Sequence, residues 1–212
     1  MYLPSVFSEA DTRVIEQFVD RHPLATVALV ADGRPHIDHV PFMRLAGLGR
    51  GDRLIAHVAK ANETWRLIAQ NPSALLVFSG ASAYVSPSFY PSKGVTHEVV
   101  PTWNYVSIHI SGILSVSHDE SEKRRVVDQL TRRMESDRPA PWSIDDAPPR
   151  YIEKLLSGIV ALSFEIEKVD AKFKASQNKN KTDIAGVVKG LSSDSLTQDA
   201  AMVAARLSNI TD

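Results

Sequence analysis

The 212-residue chain contains no cysteine, which removes structural disulfides, thiolate metal sites and cysteine nucleophiles together and fits a reducing compartment. It also lacks an excess of either charge. Lys and Arg number 24 against 25 Asp and Glu, for a formal net charge of -1, so the chain as a whole does not carry the electrostatic footprint of a dedicated DNA-binding domain. No apolar run approaches the roughly 20 residues of a membrane span. The first residues have neither the charged start nor the apolar stretch of a signal peptide. The expectation is a soluble, cytoplasmic protein with no membrane partner. Gly-rich dinucleotide fingerprints, a P-loop lysine motif and a Gly-x-Ser-x-Gly elbow are all missing, which takes away the commonest phosphate cradles and hydrolase sites.

What the chain does have is a 43% hydrophobic content, ordinary for a globular protein with a sizeable core, and a distinctive stretch over residues 83–109. There Ala83-Tyr84-Val85-Ser86-Pro87-Ser88-Phe89-Tyr90-Pro91 is followed by Pro101-Thr102-Trp103-Asn104-Tyr105. Pro87, Pro91 and Pro101 fix φ and withdraw backbone donors, so they predict a defined loop that holds aromatic and hydroxyl side chains out of the flanking strands. The bland alternative is a structural connection in which Tyr84 and Tyr90 fill the core with their hydroxyls satisfied.

Hydrophobic periodicity predicts a first helix through Val14, Ile15, Phe18 and Val19 that ends at His22-Pro23. A hairpin follows, with strands at 24–30 and 35–42 joined by the Asp32-Gly33 turn signal. A third strand is predicted over 52–59, a helix capped by Asn62 runs to Gln70, and a fourth strand covers 74–78. The alternation of Tyr105, Ser107, His109 and Ser111 with Val106, Ile108 and Ile110 marks the clearest strand, 104–116. Helices at 120–135 and 151–156, a sixth strand at 159–169 and a helix near 196–207 complete the pattern. The elements are in antiparallel-compatible order with few βα units. This predicts one domain over 1–212, mainly β with peripheral helices, with a helical extension at about 190–212, and favours a barrel over a doubly wound sheet.

Two anion-seeking features stand out. His57-Val58-Ala59-Lys60-Ala61-Asn62 places a lysine between a strand end and a helix start, where free backbone donors and an ammonium together suit a phosphate. Lys172, Lys174, Lys179, Lys181 and Lys189 form a basic run with only Asp170 and Asp183 nearby, which is either solvated surface or a phosphate or nucleic-acid contact. A metal site is not expected, because His36 and His39 project to opposite faces of a strand and His97-Glu98 lacks the second histidine of a zincin helix. No nucleophile motif supports a Ser-His-Asp triad.

Met1-Tyr2-Leu3-Pro4 with Phe7, Asp38-His39-Val40-Pro41-Phe42, His57 to Asn62, Tyr84 to Tyr90, Val100 to Tyr105, and Phe173-Lys174-Ala175-Ser176-Gln177-Asn178 together resemble the PaiB family, in the family's order and over almost the whole chain. Ala175 stands where the family pattern suggests a bulkier aliphatic residue, and Lys179 where it suggests arginine, which alone forks bidentately to a phosphate. The resemblance implies an FMN-binding negative transcriptional regulator with a six-stranded antiparallel split β-barrel, acting as a homodimer with flavin between subunits. Carried onto this chain, it implies that Lys60, Ala61 and Asn62 hold the phosphate and that the strand bearing Asp38, His39, Val40 and Pro41 lies along the flavin. Ser79, Gly80, Trp103, Asn104, Gln177 and Asn178 are further implied contacts, some reaching the flavin from the partner subunit. No catalytic residue is assigned. Three readings stay open: regulation, directly on DNA or through a partner; an FMN-dependent oxidoreductase using NAD(P)H, in which the flavin carries the redox chemistry; and a haem-binding or haem-degrading split barrel ligated by His97 or His109.

Overall fold

The computed structural model describes residues 1–193. The chain opens with a 3-10 turn at Ser5–Phe7, then α1 (Thr12–Arg21), β1 (Leu24–Ala31), β2 (Arg34–Pro41), β3 (Met43–Arg44), β4 (Arg53–Ala59), α2 (Thr64–Gln70) and β5 (Ser73–Val85). There follow α3 (Lys93–Thr96), β6 (Thr102–Ser117), α4 (Glu120–Glu135), α5 (Pro149–Ser157), β7 (Ile159–Lys174) and α6 (Lys181–Ser193). The strands form one sheet in the order β2-β1-β5-β6-β7-β4-β3. The β1–β2, β1–β5, β3–β4 and β4–β7 pairs are antiparallel. The chain is thus mainly β with peripheral helices, and seven strands replace the predicted six because Phe42 ends β2 and the two-residue β3 follows as a separate strand.

Two compact units divide the residues: one built from 12–78 and 109–169, the other from 1–11, 79–108 and the segment from Asp170 on. In the first unit the hairpin turns at Asp32 and Gly33, with φ of 51° and 70° and Ala31 paired to Arg34. That is the two-residue connection with both central residues left-handed that an Asp-Gly pair serves. Ile55, Ala161, Val126 and Leu130 make a buried cluster between the sheet and α4, and Ile144, Ile152 and Leu156 make another beside α5. The α4 start is set by Asp119, whose side chain accepts a hydrogen bond from the Glu122 N–H at 2.9 Å, one of the orphan donors of a helix N-terminus.

The second unit holds the largest departures from the predicted elements. Extended structure in β5 continues past Phe78 to Val85; Ser79, Gly80, Ala81 and Ser82 lack the β-branched character by which a strand is read, and burial alternates again only over Ala83, Tyr84 and Val85. The predicted loop therefore begins only at Ser86, whose Oγ accepts from the Ser88 N–H at 3.2 Å. Strand β7 likewise runs on to Lys174, and α6 occupies a stretch that gave no helical signal. Gly186 and Gly190 lower helix propensity, but each is where α6 meets the Pro87–Phe89 turn: a Cβ would stand 2.2 Å from the Phe89 carbonyl at position 186 and 2.4 Å from the Phe89 ring at position 190. Close approach here outweighs propensity. Ala83, Val85, Tyr90, Ala175, Ile184, Val187 and Leu191 are the unit's core. The predicted helix at 196–207, and most of the predicted extension, lie outside the described residues.

Candidate functional site

The predicted residues of the first unit converge on the edge of the sheet. β2 is the last strand in the order, so every second backbone N–H and C=O on it points away from its one partner. Asp38, on this strand, accepts hydrogen bonds through one carboxylate oxygen from Asn62 Nδ2 at 2.6 Å and Thr64 Oγ1 at 2.7 Å. Its other oxygen accepts from the His39 N–H at 2.7 Å. Asn62 in turn accepts from the Thr64 N–H at 2.8 Å. Burial opposes the charge of Asp38, but the bonds from Asn62, Thr64 and the His39 backbone, with the charge of His39, outweigh it and hold the carboxyl below its ordinary value.

The loop from β4 to α2 is fastened at three further points. The Lys60 N–H donates to Gly158 at 2.7 Å, the Asn62 N–H donates to Ala59 at 2.9 Å, and the Trp65 indole donates to the Lys60 carbonyl at 3.0 Å. The side chains of Lys60 and Ala61 are left exposed on this fixed backbone. Val40 is buried, whereas His39 and Pro41 are exposed. The structure thus joins Asp38 directly to Asn62, with His39, Val40 and Pro41 continuing the same strand and Lys60 and Ala61 leading into the same loop. Thr64 belongs to this arrangement and was missed by sequence reasoning; a hydroxyl two residues after a capping asparagine was the available signal.

The other predicted residues belong to the second unit. Ser79 and Gly80 lie within β5. Trp103 is 54% exposed and meets Tyr84 edge-on with ring centres 6.1 Å apart. Asn104 is fully buried and bonds Ser176 in both directions, at 2.9 and 3.2 Å. Gln177 turns its amide back on the chain, accepting from the Ala175 N–H at 2.7 Å and donating to the Phe173 carbonyl at 2.5 Å, so both ends are occupied. Asn178 is exposed and lines a cavity of about 180 Å³ together with Asn104, Ser176, Lys174, Lys179 and Tyr90.

The tyrosines and lysines need correction. Tyr84 is 47% exposed rather than core. Tyr90 is buried as expected, yet its hydroxyl has no hydrogen-bond partner. Lys172 is only 8% exposed, donating to the Tyr2 carbonyl at 3.0 Å and lying 5.4 Å from the rings of Tyr2 and Tyr105. Lys174 donates to Thr102 Oγ1 at 2.5 Å and to the Trp103 carbonyl. Two of the five lysines of the basic run are therefore bonded within the fold rather than spread over solvated surface. His97, a candidate haem ligand, is exposed in a left-handed conformation at φ 58°, and His109 is half-buried on β6. Among the described residues no group of three or more His, Asp or Glu is gathered as a metal site would need, and no helix is long and apolar enough to cross a membrane.

Comparison with known proteins agrees with this picture. Residues 1–168 match the family described as "Putative FMN-binding domain". The protease synthase and sporulation protein PAI 2 of Bacillus subtilis is 32% identical over 92% of this chain and 90% of its own. A protein of Aspergillus fumigatus without an assigned role is 31% identical over 90% of each. Among solved structures, the FAD and heme binding protein from Mycobacterium smegmatis superposes with a TM-score of 0.61 at 25% identity, over 84% of this chain and 78% of that one. The flavocytochrome Anf3 from Azotobacter vinelandii, at 17% identity and a TM-score of 0.59 over 79% and 69%, shares the fold. The match over most of the chain and the identity to PAI 2 carry the conclusion: the chain belongs to the PaiB family of FMN-binding split-barrel proteins.

Proposed function

We propose that this protein holds FMN along β2 and at the β4–α2 loop, and that it acts as a flavin-responsive regulator through a partner. The observation that carries the flavin site is the fixed Lys60 loop beside an unpaired strand edge. The donor set suits the group. A flavin's pyrimidine edge alternates donors and acceptors, as the free edge of β2 does, and an exposed ammonium on a fastened loop suits a phosphate. Asp38 keeps Asn62 and Thr64 oriented and, being negative, leaves the phosphate to the Lys60 side. When bound, FMN supplies one- and two-electron redox chemistry. Lys60 holds the anion, Asp38 positions the loop, and buried Val40 fixes the register of the strand whose outer edge meets the ring.

A homodimer with flavin between subunits is part of the same proposal, as are a single domain over the whole chain and a cytoplasmic setting, for which zero cysteines speak. Ser79, Gly80, Trp103, Asn104, Gln177 and Asn178 are carried as secondary contacts. Regulation through a partner is favoured over direct DNA contact because Lys172 is buried and Lys174 is half-buried and bonded to Thr102 and the Trp103 carbonyl, so the basic run does not present a continuous cationic face to a phosphate backbone. The name of PAI 2 points the same way only in so far as that protein is described as a sporulation protein.

The test is the visible spectrum of purified protein with and without FMN. About one flavin per subunit is expected, with Lys60→Ala weakening binding by roughly 1.5 to 3 kcal/mol, or ten- to hundred-fold. Unchanged affinity would remove Lys60 from the site. Rapid NAD(P)H turnover of the bound flavin would replace the regulatory reading with the oxidoreductase one. A Soret band would do the same for haem, which the name of the Mycobacterium smegmatis relative keeps in view.

A further inference from the structure

The second unit holds a cavity walled by Asn104 and Asn178, carried above as secondary flavin contacts, and otherwise by residues that the flavin reading does not use. Its volume, about 180 Å³, is below the roughly 300–1,000 Å³ of pockets that enclose a drug-sized ligand, so it admits a headgroup rather than a whole cofactor. Tyr90, Thr102, Asn104, Lys174, Ser176 and Lys179 supply its polar lining, and no carboxylate lines it. Two lysines without an acid make the wall positive.

Three observations show that this wall is built rather than incidental. Tyr90 is 2% exposed and its hydroxyl is unpartnered, a state that costs stability unless something occupies the donor. Ser176 is near enough to lower the phenol as a hydrogen-bonding neighbour, but the Tyr90 hydroxyl makes no bond of good geometry to it, and the one Ser176 proton goes to Asn104 Oδ1 while its oxygen accepts from Asn104 Nδ2. Ser176 also adopts a left-handed backbone at φ 59°, a strained conformation that persists where surroundings over-determine it. The lysines are held in place as well: Lys174 by Thr102 and the Trp103 carbonyl, and Lys179 over the Tyr90 ring at 5.3 Å.

Electrostatics agrees with the geometry. Burial, then the charges of Lys172 and Lys179, lowers the Lys174 ammonium from its ordinary value, and the charge of a negative ligand would offset these effects. Burial first, with the Asp183 carboxylate adding to it and Ser176 opposing, raises the Tyr90 phenol, so at neutral pH it is a donor. Asp183 stands outside the lining, held by the Ser92 N–H and hydroxyl at 3.1 and 2.8 Å and by Asn180 at 2.9 Å; its charge is felt by Lys179 and Tyr90, which leaves Lys174 as the cation with no acid acting on it.

We infer that this cavity binds a small oxyanion, a phosphate or a carboxylate group, with Lys174 and Lys179 as its cations and the Tyr90 hydroxyl as its buried donor. The ligand is either a free small anion or the anionic end of a larger metabolite that projects from the opening. The site lies within this unit and does not rest on the Lys60 assignment, since its cations and buried donor are none of the residues proposed to hold the flavin.

The experiment is calorimetric titration of the full chain with inorganic phosphate and, separately, with acetate, in a buffer free of both, repeated after saturation with FMN. Saturable binding of one of them at low millimolar concentration or better is expected. Tyr90→Phe and Lys179→Gln should each weaken it about tenfold while leaving the melting temperature within a few degrees, and FMN should not compete. Binding of phosphate alone assigns the cavity to phosphates, and of acetate alone to carboxylates. No saturable binding of either, or binding unchanged in both variants, overturns the proposal. So does competition by FMN together with an equal loss of FMN affinity in Lys179→Gln, because the cavity would then serve the flavin's own phosphate. Failure of the Lys60 test with retained anion binding would sink the flavin assignment and spare this one.

Discussion

Each unit contains a buried or half-buried polar cluster, and the two are finished differently. Around Asp38 every donor has its acceptor: Asn62, Thr64 and the His39 N–H all end on one carboxylate. Around Tyr90 the account does not close, since Asn104 and Ser176 satisfy each other while the phenol is left without a partner beside two lysines. Buried polar groups are normally paired. The closed cluster is therefore read as a structural clasp that fixes a loop, and the open one as a place still owed a ligand. The same residue types serve both, and only the accounting of hydrogen bonds separates them.

Breaking the paired core of the open cluster should cost most. Asn104→Ala removes a fully buried amide and strands the Ser176 hydroxyl, so a loss of about 2–3 kcal/mol is expected in denaturant unfolding. A loss below about 0.5 kcal/mol would mean that Ser176 finds another partner and that the cavity wall is not rigid.

Opening the closed cluster should cost less, because Asp38 is only half-buried. Asp38→Ala is expected to destabilise by about 1–2 kcal/mol near neutral pH, after allowance for solvent screening. The pH dependence sharpens the test. A carboxyl held below its ordinary value of 3.8 contributes stability that is complete above that value and drains away as pH falls through the folded value. The wild type should therefore lose an increment of stability below about pH 4 that Asp38→Ala lacks. Parallel stability curves for the two proteins across that range would show that the clasp carries no charge-dependent energy.

The smallest effect falls on the unpaired group. Tyr90→Phe deletes a hydroxyl that bonds nothing, so without added anion its stability should change by less than about 0.5 kcal/mol, or rise. A large loss would reveal a hidden partner and erase the contrast between the clusters.

Much of the first unit was legible in the sequence because its signals are local. The Asp32-Gly33 hairpin and the apolar stripe of α4 each depend on residues a few positions apart, and both stand where the pattern put them, as does the alternation along β6, a strand that runs through both units. Asn62, expected as the helix cap, stands one position before the observed cap residue Glu63, yet its side chain still accepts from the Thr64 N–H at the helix start. Its second bond, to Asp38 across 24 positions, could not be read from spacing. In the second unit the decisive contacts are mostly long-range. β5 beyond Phe78 and β7 beyond Val169 are strands because of their neighbours rather than their composition, and α6 is a helix despite two glycines because Phe89 lies against them.

By itself, then, the sequence determined which segments turn, alternate or coil, the near-balance of charge, and the set of motifs that mark the family. Tertiary structure alone decided which polar groups are paired. It folded Lys172 and Lys174 inward from an apparently solvated run, joined Asn104 to Ser176 across 72 positions, and left the Tyr90 hydroxyl empty beside them. The physical reason is that a local pattern fixes the direction of a side chain along its own element. Whether a donor finds an acceptor depends on which distant element is packed against it.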